Sequence, residues 1–311
     1  MNILIGSNGG LTGVYLAKQL RNYDERIILF GSDSSKYSVG RFFVDHQLHL
    51  PPANNAEFIN RLIALLNENK IDVYLPTHSN EIRVIAKNEE TVRSRTKTKF
   101  VVCPNETFLE LENKAIANQK LTEIGIPVPR IITDYGTDYP IIMKKKMGSG
   151  SSGTIIIDNR EIHKAYKESK PEVDFYELIK GTEYTVDCMF TLQGSLIGYN
   201  QRERVKTIGG AVSITRNCND ISIRPWLEML SKRWIFRGCV NFQYIVRDGI
   251  PYFIDINLRY PSGGLPLSVA SGLDIPKMTI DLLLGRHVSS YITPLELNNL
   301  VMYRYFEELF D

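Results

Sequence analysis

PYFIDINLRYPSGG, residues 251–264, reads as a β-strand carrying a polar stripe. Tyr252, Phe253, Ile254 and Ile256 supply apolar bulk, while Asp255, Asn257 and Arg259 recur two apart. Successive side chains of a strand point to opposite faces, so these three share one face. The preceding CVNFQYIV (239–246) forms a hairpin with this strand around Asp248-Gly249. A two-residue Asp-Gly loop pairs Arg247 with Ile250 and puts Gln243 on the face opposite Asp255. A three-residue loop, with Gly249 in the left-handed bulge position, pairs Val246 with Ile250 instead. That second register gathers Val240, Phe242, Tyr244, Ile254 and Ile256 on one face and Asn241, Gln243, Asp255 and Asn257 on the other. The three-residue loop is therefore predicted. Carboxylate and amide oxygens in this pattern suit Mg²⁺ better than a soft metal, and Arg259 offers a fork to phosphate oxygens. The plain alternative is an edge strand with a wetted polar face.

Two further stretches carry chemistry. YPIIMKKKMGSGSSGTIIID (139–158) runs from a strand ending in Lys144, through a loop of three glycines and three serines, into a second strand. Glycine admits close approach and positive φ, so such a loop can lay backbone N–H groups over phosphate oxygens. It lacks the GK[ST] ending of a P-loop, and a flexible hairpin tip is its structural alternative. FYELIKGTEYTVD (175–187) places Glu177, Leu178 and Ile179 before a turn, then Glu183 on a strand. Such a segment can offer backbone groups to an adenine edge and a carboxylate to ribose hydroxyls, although by itself it resembles any loop entering a strand.

The rest of the chain frames these pieces. With 311 residues, 43% of them hydrophobic, there is material for about two domains. A net charge of +2 calls for neither nucleic acid nor an anionic membrane. No apolar run approaches the ~18 residues that span a bilayer. Cys103, Cys188, Cys218 and Cys239 form no CxxC pair, which fits a reduced, cytoplasmic protein, and the amino terminus reads as a first strand, not a signal peptide.

Strands NILI (2–5), RIILF (26–30), the apolar part of HQLHL, DVYLP (72–76) and KFVVCP (99–104) alternate with helices, the pattern of a doubly wound parallel sheet. One helix carries Phe58, Leu62, Ile63, Leu65 and Leu66 at helical spacing. Beyond it, a helix from about Glu110 to Ile124 ends at GIPVPR. Strands then come as antiparallel pairs, YPIIMK with TIIID, EYTVDCMF with SLIGYN, and CVNFQYIV with PYFIDIN, interrupted by helices at 160–169 and 225–235. A helix near 275–284 and a strand within LVMYRYFEE close the chain. The fold class is thus α/β followed by α+β, without internal repeats.

Taken together and in order, NKAIANQKLTEIGIPVP (113–129), YPIIMKKKMGSGSSG, ELIKGTEYTVD, NFQY with YFIDINLRYPSGG, and the closing YFEE (305–308) resemble the ATP-grasp superfamily. The branch most similar is that of carbamoyl-phosphate-synthase-like carboxylate–amine ligases. The resemblance implies a Rossmann-like pre-ATP-grasp lobe (1–104), a small ATP-grasp lobe with the glycine-rich phosphate loop (105–174), and a large lobe with the Mg²⁺ hairpin and carboxy-terminal tail (175–311). It implies that a carboxylate attacks the γ-phosphate of ATP to give an acyl phosphate, which an amine captures.

By the same resemblance, Lys114 and Lys144 hold ATP phosphates, and Gly148, Ser149, Gly150, Ser151, Ser152 and Gly153 form the phosphate lid. Glu177, Leu178 and Ile179 form the adenine hinge and Glu183 the ribose carboxylate. Gln243, Asp255 and Asn257 are the ligands of Mg²⁺ (or Mn²⁺), and Arg259 stands beside the transferred phosphoryl group. Members of the family commonly carry Glu where this chain has Asp255, and the shorter arm puts two-metal coordination in question. The implied partners are small carboxylate and amine substrates, amino acids among them; a homodimer is left open.

QRERVKTIGG (201–210) lines up Arg202, Arg204 and Lys206 on one side of an extended segment. Arg204 is the expected clamp for a substrate carboxylate or the acyl phosphate, Arg216 a further candidate, and a solvated basic strand the alternative. GSNGGLTG (6–13) and Asp33 suggest a dinucleotide site, but the glycines do not form GxGxxG. A nicotinamide-dependent oxidoreductase therefore remains the alternative function, and Asp255 keeps open an inactive nucleotide-binding module. The five histidines show no ligand spacing, and Trp226 and Trp234 are expected in the core.

Overall fold

In a computed structural model that describes residues 1–146, 154–209, 211–288 and 299–311, the apolar segment Asn2–Gly6 forms β1, the centre of a four-stranded parallel sheet. Helix α1 (Leu11–Arg21) leads to β2 (Ile28–Asp33), a 3₁₀ turn (Val39–Phe43) to β3 (His46–His49), and α2 (Phe58–Glu68) to β4 (Val73–Leu75). The order β3-β2-β1-β4 winds outward both ways from β1. Alternation divides the strands between two cores. Ile3, Ile5, Leu29 and Val73 pack with Leu16, Ala17 and Leu20 of α1. Leu4, Phe30 and Tyr74 pack with Phe58, Leu62 and Leu66 of α2. Both faces are covered, as parallel strands require.

The expected strand at KFVVCP does not form. Lys99 alone bridges to Val73, and the ladder stops there. The chain then turns into the core, where Cys103 Sγ accepts a hydrogen bond from Arg237 N at 3.4 Å. A side-chain anchor to a distant loop displaces the fifth strand.

Helix α3 (Ser79–Lys87) opens over the carboxyl end of this sheet. Its Glu81 is 2% exposed and accepts from Tyr74 OH and, at 3.1 Å, from Ser7 Oγ. Burial raises this carboxyl from its ordinary 4.5 to about 6 despite those donors. The folded state thus holds a proton more tightly than the unfolded chain, so stability falls as pH rises through 4.5 to 6. Glu81→Gln is expected to gain about 2 kcal/mol in urea unfolding at pH 7.5. At pH 4 the gain should vanish; an equal gain at both values would refute the assignment.

After α4 (Glu89–Arg95) and α5 (Asn105–Leu111), α6 (Lys114–Glu123) is capped by Asn113, whose side chain accepts from Ala115 N and Ile116 N at 3.0 and 3.2 Å. It ends at Gly125, with φ of +78°. A three-stranded antiparallel sheet follows, made by β5 (Ile141–Lys145), β6 (Ile155–Ile157) and, after α7 (Arg160–Ser169), β7 (Val173–Glu177), in the order β6-β5-β7. It has its own small core around Ile141, Met143 and Phe175.

The remaining strands form one antiparallel sheet. They are β8 (Thr182–Phe190), β9 (Leu196–Ile208), β10 (Ala211–Asn217), then, past α8 (Arg224–Arg233), β11 (Gly238–Arg247) and β12 (Ile250–Asn257). Helices α9 (Leu265–Ala270) and α10 (Ile275–Leu283) precede β13 (Val301–Tyr303). The order is β12-β11-β8-β9-β10-β13. Its apolar face, with Val186, Phe242, Tyr244 and Phe253, joins the core of α2 and Tyr74, and Trp234 is buried there with Trp226 against it. Among the described residues no helix is long and apolar enough to cross a membrane.

Candidate active site

The β11–β12 hairpin corrects the predicted turn yet keeps the predicted face. Asp248 and Gly249 both have positive φ, 54° and 77°, and Arg247 pairs with Ile250. This is the two-residue loop, favoured because its twist matches that of the strands. Continued regularly, it would place Asp255 opposite Phe242 and so toward the core. A β-bulge at Ile254 prevents this: Tyr244 pairs with Phe253, but Gln243 with Asp255 and Asn241 with Asn257. Phe253, not Ile254, therefore joins Tyr244 in the core.

The polar face extends across the sheet. Gln243 lies opposite Thr185, which lies opposite Arg202; Asn241 lies opposite Asp187, which lies opposite Asn200. Residues paired in this way share a face, so β8 and β9 continue what the hairpin begins. Within it Asn257 Nδ2 donates to Asp255 Oδ2 at 3.0 Å, and Arg259 Nη2 donates to Asn257 Oδ1 at 3.0 Å. Arg259 Nε reaches Ser79 Oγ at the start of α3, 2.8 Å away, and so ties the hairpin to the parallel sheet.

One lysine from another element contacts the same carboxylate, and a second lies within its electrostatic field. Lys114, the first residue of α6, brings Nζ to 3.3 Å from Asp255 Oδ1. A hydrogen bond from Lys114 N to the Lys146 carbonyl, 3.1 Å, couples that helix to the end of β5. Lys144 on β5 loses proton affinity through burial and secondarily through Lys114, against the opposing pull of Asp255 and Glu183. Burial likewise lowers the proton affinity of Arg259, against the attraction of Asp255. Lys114, Lys144, Gln243, Asp255, Asn257 and Arg259 thus converge.

The other expected residues fall around this cluster. Glu183 and Arg204, given separate roles from the sequence, form an ion pair at 2.8 Å. Glu177 spends its carboxylate on Arg247 at 2.6 Å, and Ile179 is buried beside it in sequence. Leu178 is partly exposed. Residues 148–153, the expected phosphate loop, lie outside the described residues. Arg202, expected beside Arg204 and Lys206, is 2% exposed and bound to Asp187, whereas Lys206 is open to solvent. Arg216 is held by Glu203 and Asp220. Asp33 accepts from Gly9 N at 3.1 Å and from Ser38, and so secures its own loop. His163 is buried against Tyr139, and His78 caps α3.

Three cavities meet at this cluster. Asp255 and Asn257 line one of about 330 Å³ with Lys114 and His78. They also line one of about 70 Å³ with Arg202, Arg204 and Arg259. Arg259 and Ser262 continue into a third, about 640 Å³, along the carboxyl end of the parallel sheet. Ser79 and Arg304, which reaches the Ser262 carbonyl at 2.8 Å, were not legible as site residues. Ser79 lies 180 positions from its partner Arg259, and Arg304 shows only as a charge in an otherwise apolar and aromatic strand.

Residues 169–305 match a family model described as ATP-grasp in the biosynthetic pathway with Ter operon. Among solved structures, an L-amino acid ligase from Bacillus licheniformis superposes with a TM-score of 0.73 at 14% identity, covering 96% of this chain and 77% of that one. N5-carboxyaminoimidazole synthetase from Staphylococcus aureus, complexed with ADP, gives 0.71 at 14% over 92% and 78%. Biotin carboxylase from Campylobacter jejuni, in a β,γ-ATP complex, gives 0.69 at 19% over 92% and 71%. At these identities the likeness is one of fold. No curated protein matches the sequence.

Proposed function

We propose that this chain, similar over residues 169–305 to an ATP-grasp family model, is an ATP- and Mg²⁺-dependent ligase that joins a carboxylate to an amine through an acyl phosphate, releasing ADP and phosphate. The observation that carries this reading is the ion pair of Lys114, from an element outside the large sheet, with Asp255 on the hairpin's polar face, in whose field the buried Lys144 of a third element also lies. Phosphoryl transfer needs positioning and neutralisation of spread negative charge, not a nucleophilic side chain. Lys114 and Lys144 take triphosphate oxygens in this scheme, and Arg259 faces the transferred phosphoryl group.

The donor set fits Mg²⁺. One carboxylate and two amides are hard oxygen donors that leave positions for phosphate oxygens and water. Asn257 now turns its oxygen to Arg259 and its nitrogen to Asp255, so ligation by Asn257 requires the amide to rotate. When bound, the ion offsets phosphate charge at the γ-group. A substrate carboxylate oxygen attacks the γ-phosphorus and ADP leaves; the amine then attacks the acyl carbon, phosphate leaves, and the amine proton passes to water.

Covalent thiol catalysis has no support. All four cysteines are buried, and burial pushes Cys103 up to about 12 and Cys218 to about 11. A thiol that stays protonated is a poor nucleophile.

Calorimetric titration with Mg²⁺ and the non-hydrolysable β,γ-imido analogue of ATP tests the reading. Saturable heat is expected, weakened about tenfold or more by Asp255→Asn. Heat from NADH in its place would favour the oxidoreductase. An ADP-release screen over amino acids and small carboxylic acids then identifies the substrates; nucleotide binding without turnover on any of them would point to an inactive module.

A further inference from the structure

Four arginines keep a buried guanidinium nitrogen that makes no hydrogen bond among the described residues: Arg204 at Nε, which meets Glu183 as an ion pair instead, Arg237 at Nε, and Arg202 on β9 and Arg304 just past β13 at Nη1. In the last two the other donors are committed. Arg202 gives Nε and Nη2 to Asp187 at 2.9 and 3.2 Å, and Arg304 gives Nη2 to the Ser262 carbonyl. The groups lie within each other's field: after burial, the charge of Arg202 is what depresses the proton affinity of Arg304. A buried donor left unpaired costs about 1–3 kcal/mol. Among the described residues no carboxylate pairs with Arg304 to offset its charge.

The backbone leaves room beside these donors. A Cβ on Gly264 would collide with Arg202 Nε, and one on Gly263 would stand 3.9 Å from Arg202 Nη1. The glycine pair that follows the polar strand is therefore a slot for a guanidinium. Arg202, Val212 and Gly263 line a cavity of about 70 Å³ together with Asp255, Asn257 and Arg259. One water centre needs ~10–15 Å³, so this space admits a group of a few heavy atoms and excludes a triphosphate.

We infer that Arg202, which lines this cavity with Asp255 and Asn257, and Arg304 beside it form an anion subsite for a small carboxylate. Planar guanidinium forks match carboxylate oxygens. The anion subsite stands on the orphaned donors alone. Its identification as the seat of the reacting carboxylate rests on the ligase reading.

Thermal unfolding of the full chain, at constant ionic strength, is measured with increasing acetate and, separately, inorganic phosphate. Acetate is expected to raise the midpoint saturably. Arg304→Gln should weaken that response at least tenfold, as should Gly263→Ala, which keeps both charges but narrows the slot. Lys206→Gln, removing an exposed charge from the same strand, should leave it unchanged. No saturable response, an unaltered response in Arg304→Gln, or stronger binding of phosphate than acetate would overturn the assignment. Calorimetry with the Mg²⁺–imido analogue on the same samples separates the two readings: acetate bound without nucleotide sinks the ligase and leaves the subsite.

Discussion

Lys144→Ala is expected to lower substrate-dependent ADP release by about 10²- to 10³-fold, the scale of losing one preorganised charge at a developing anionic transition state. The fold should survive. In the native structure burial and the neighbouring Lys114 disfavour the Lys144 ammonium more than Asp255 and Glu183 favour it. A lysine whose proton affinity falls on folding costs stability below its folded pKa, and the cost fades as pH rises toward the unfolded value. At neutral pH the variant should thus unfold at equal or higher urea concentration than the wild type. In the proposed function, bound triphosphate is the partner that turns this cost to use. Lys145→Ala, removing the exposed neighbour, is the control and should retain turnover. Full activity in Lys144→Ala would count decisively against the site.

Asp187→Ala should cost about 3–5 kcal/mol, because it strands a buried cation. Asp187 is 0% exposed and Arg202 2%, and their two hydrogen bonds are supplemented by Ser268 Oγ, which donates to Asp187 at 2.7 Å. The loss reflects an uncompensated charge, not the net worth of the pair. The double variant Asp187→Leu/Arg202→Met should therefore recover most of it, since apolar replacements of buried pairs are often neutral. Urea unfolding of the three proteins checks this. A single-variant loss under about 1 kcal/mol would mean that water reaches Arg202 and that the anion subsite is not dry.

Much of this architecture was legible from local pattern. The antiparallel pairs, the parallel order of the first strands and the buried stripe of α2 all follow from period-2 and period-3.6 repeats, which short-range geometry enforces. KFVVCP had the right composition for a strand but not the outcome, because the contact between Cys103 and Arg237 draws it from the sheet. The turn was misread for a similar reason. Asp-Gly chose its own conformation, and the conflict between that turn and the polar face was resolved at Ile254, where nothing in the sequence marks a bulge.

The spacing of Asp255 and Asn257 determined by itself that a carboxylate and an amide leave one strand on one side, since alternation is a property of the backbone. Arg259, expected to continue the stripe, lies in a bend just past β12 and reaches it through Asn257. Which side the stripe takes, and what it meets, was decided only by tertiary structure. The bulge turned the stripe away from the core, and packing brought Lys114, Lys144, Ser79 and Arg304 to it from segments far apart in the chain. Periodicity acts over a few residues, whereas convergence depends on how segments far apart in the chain pack together.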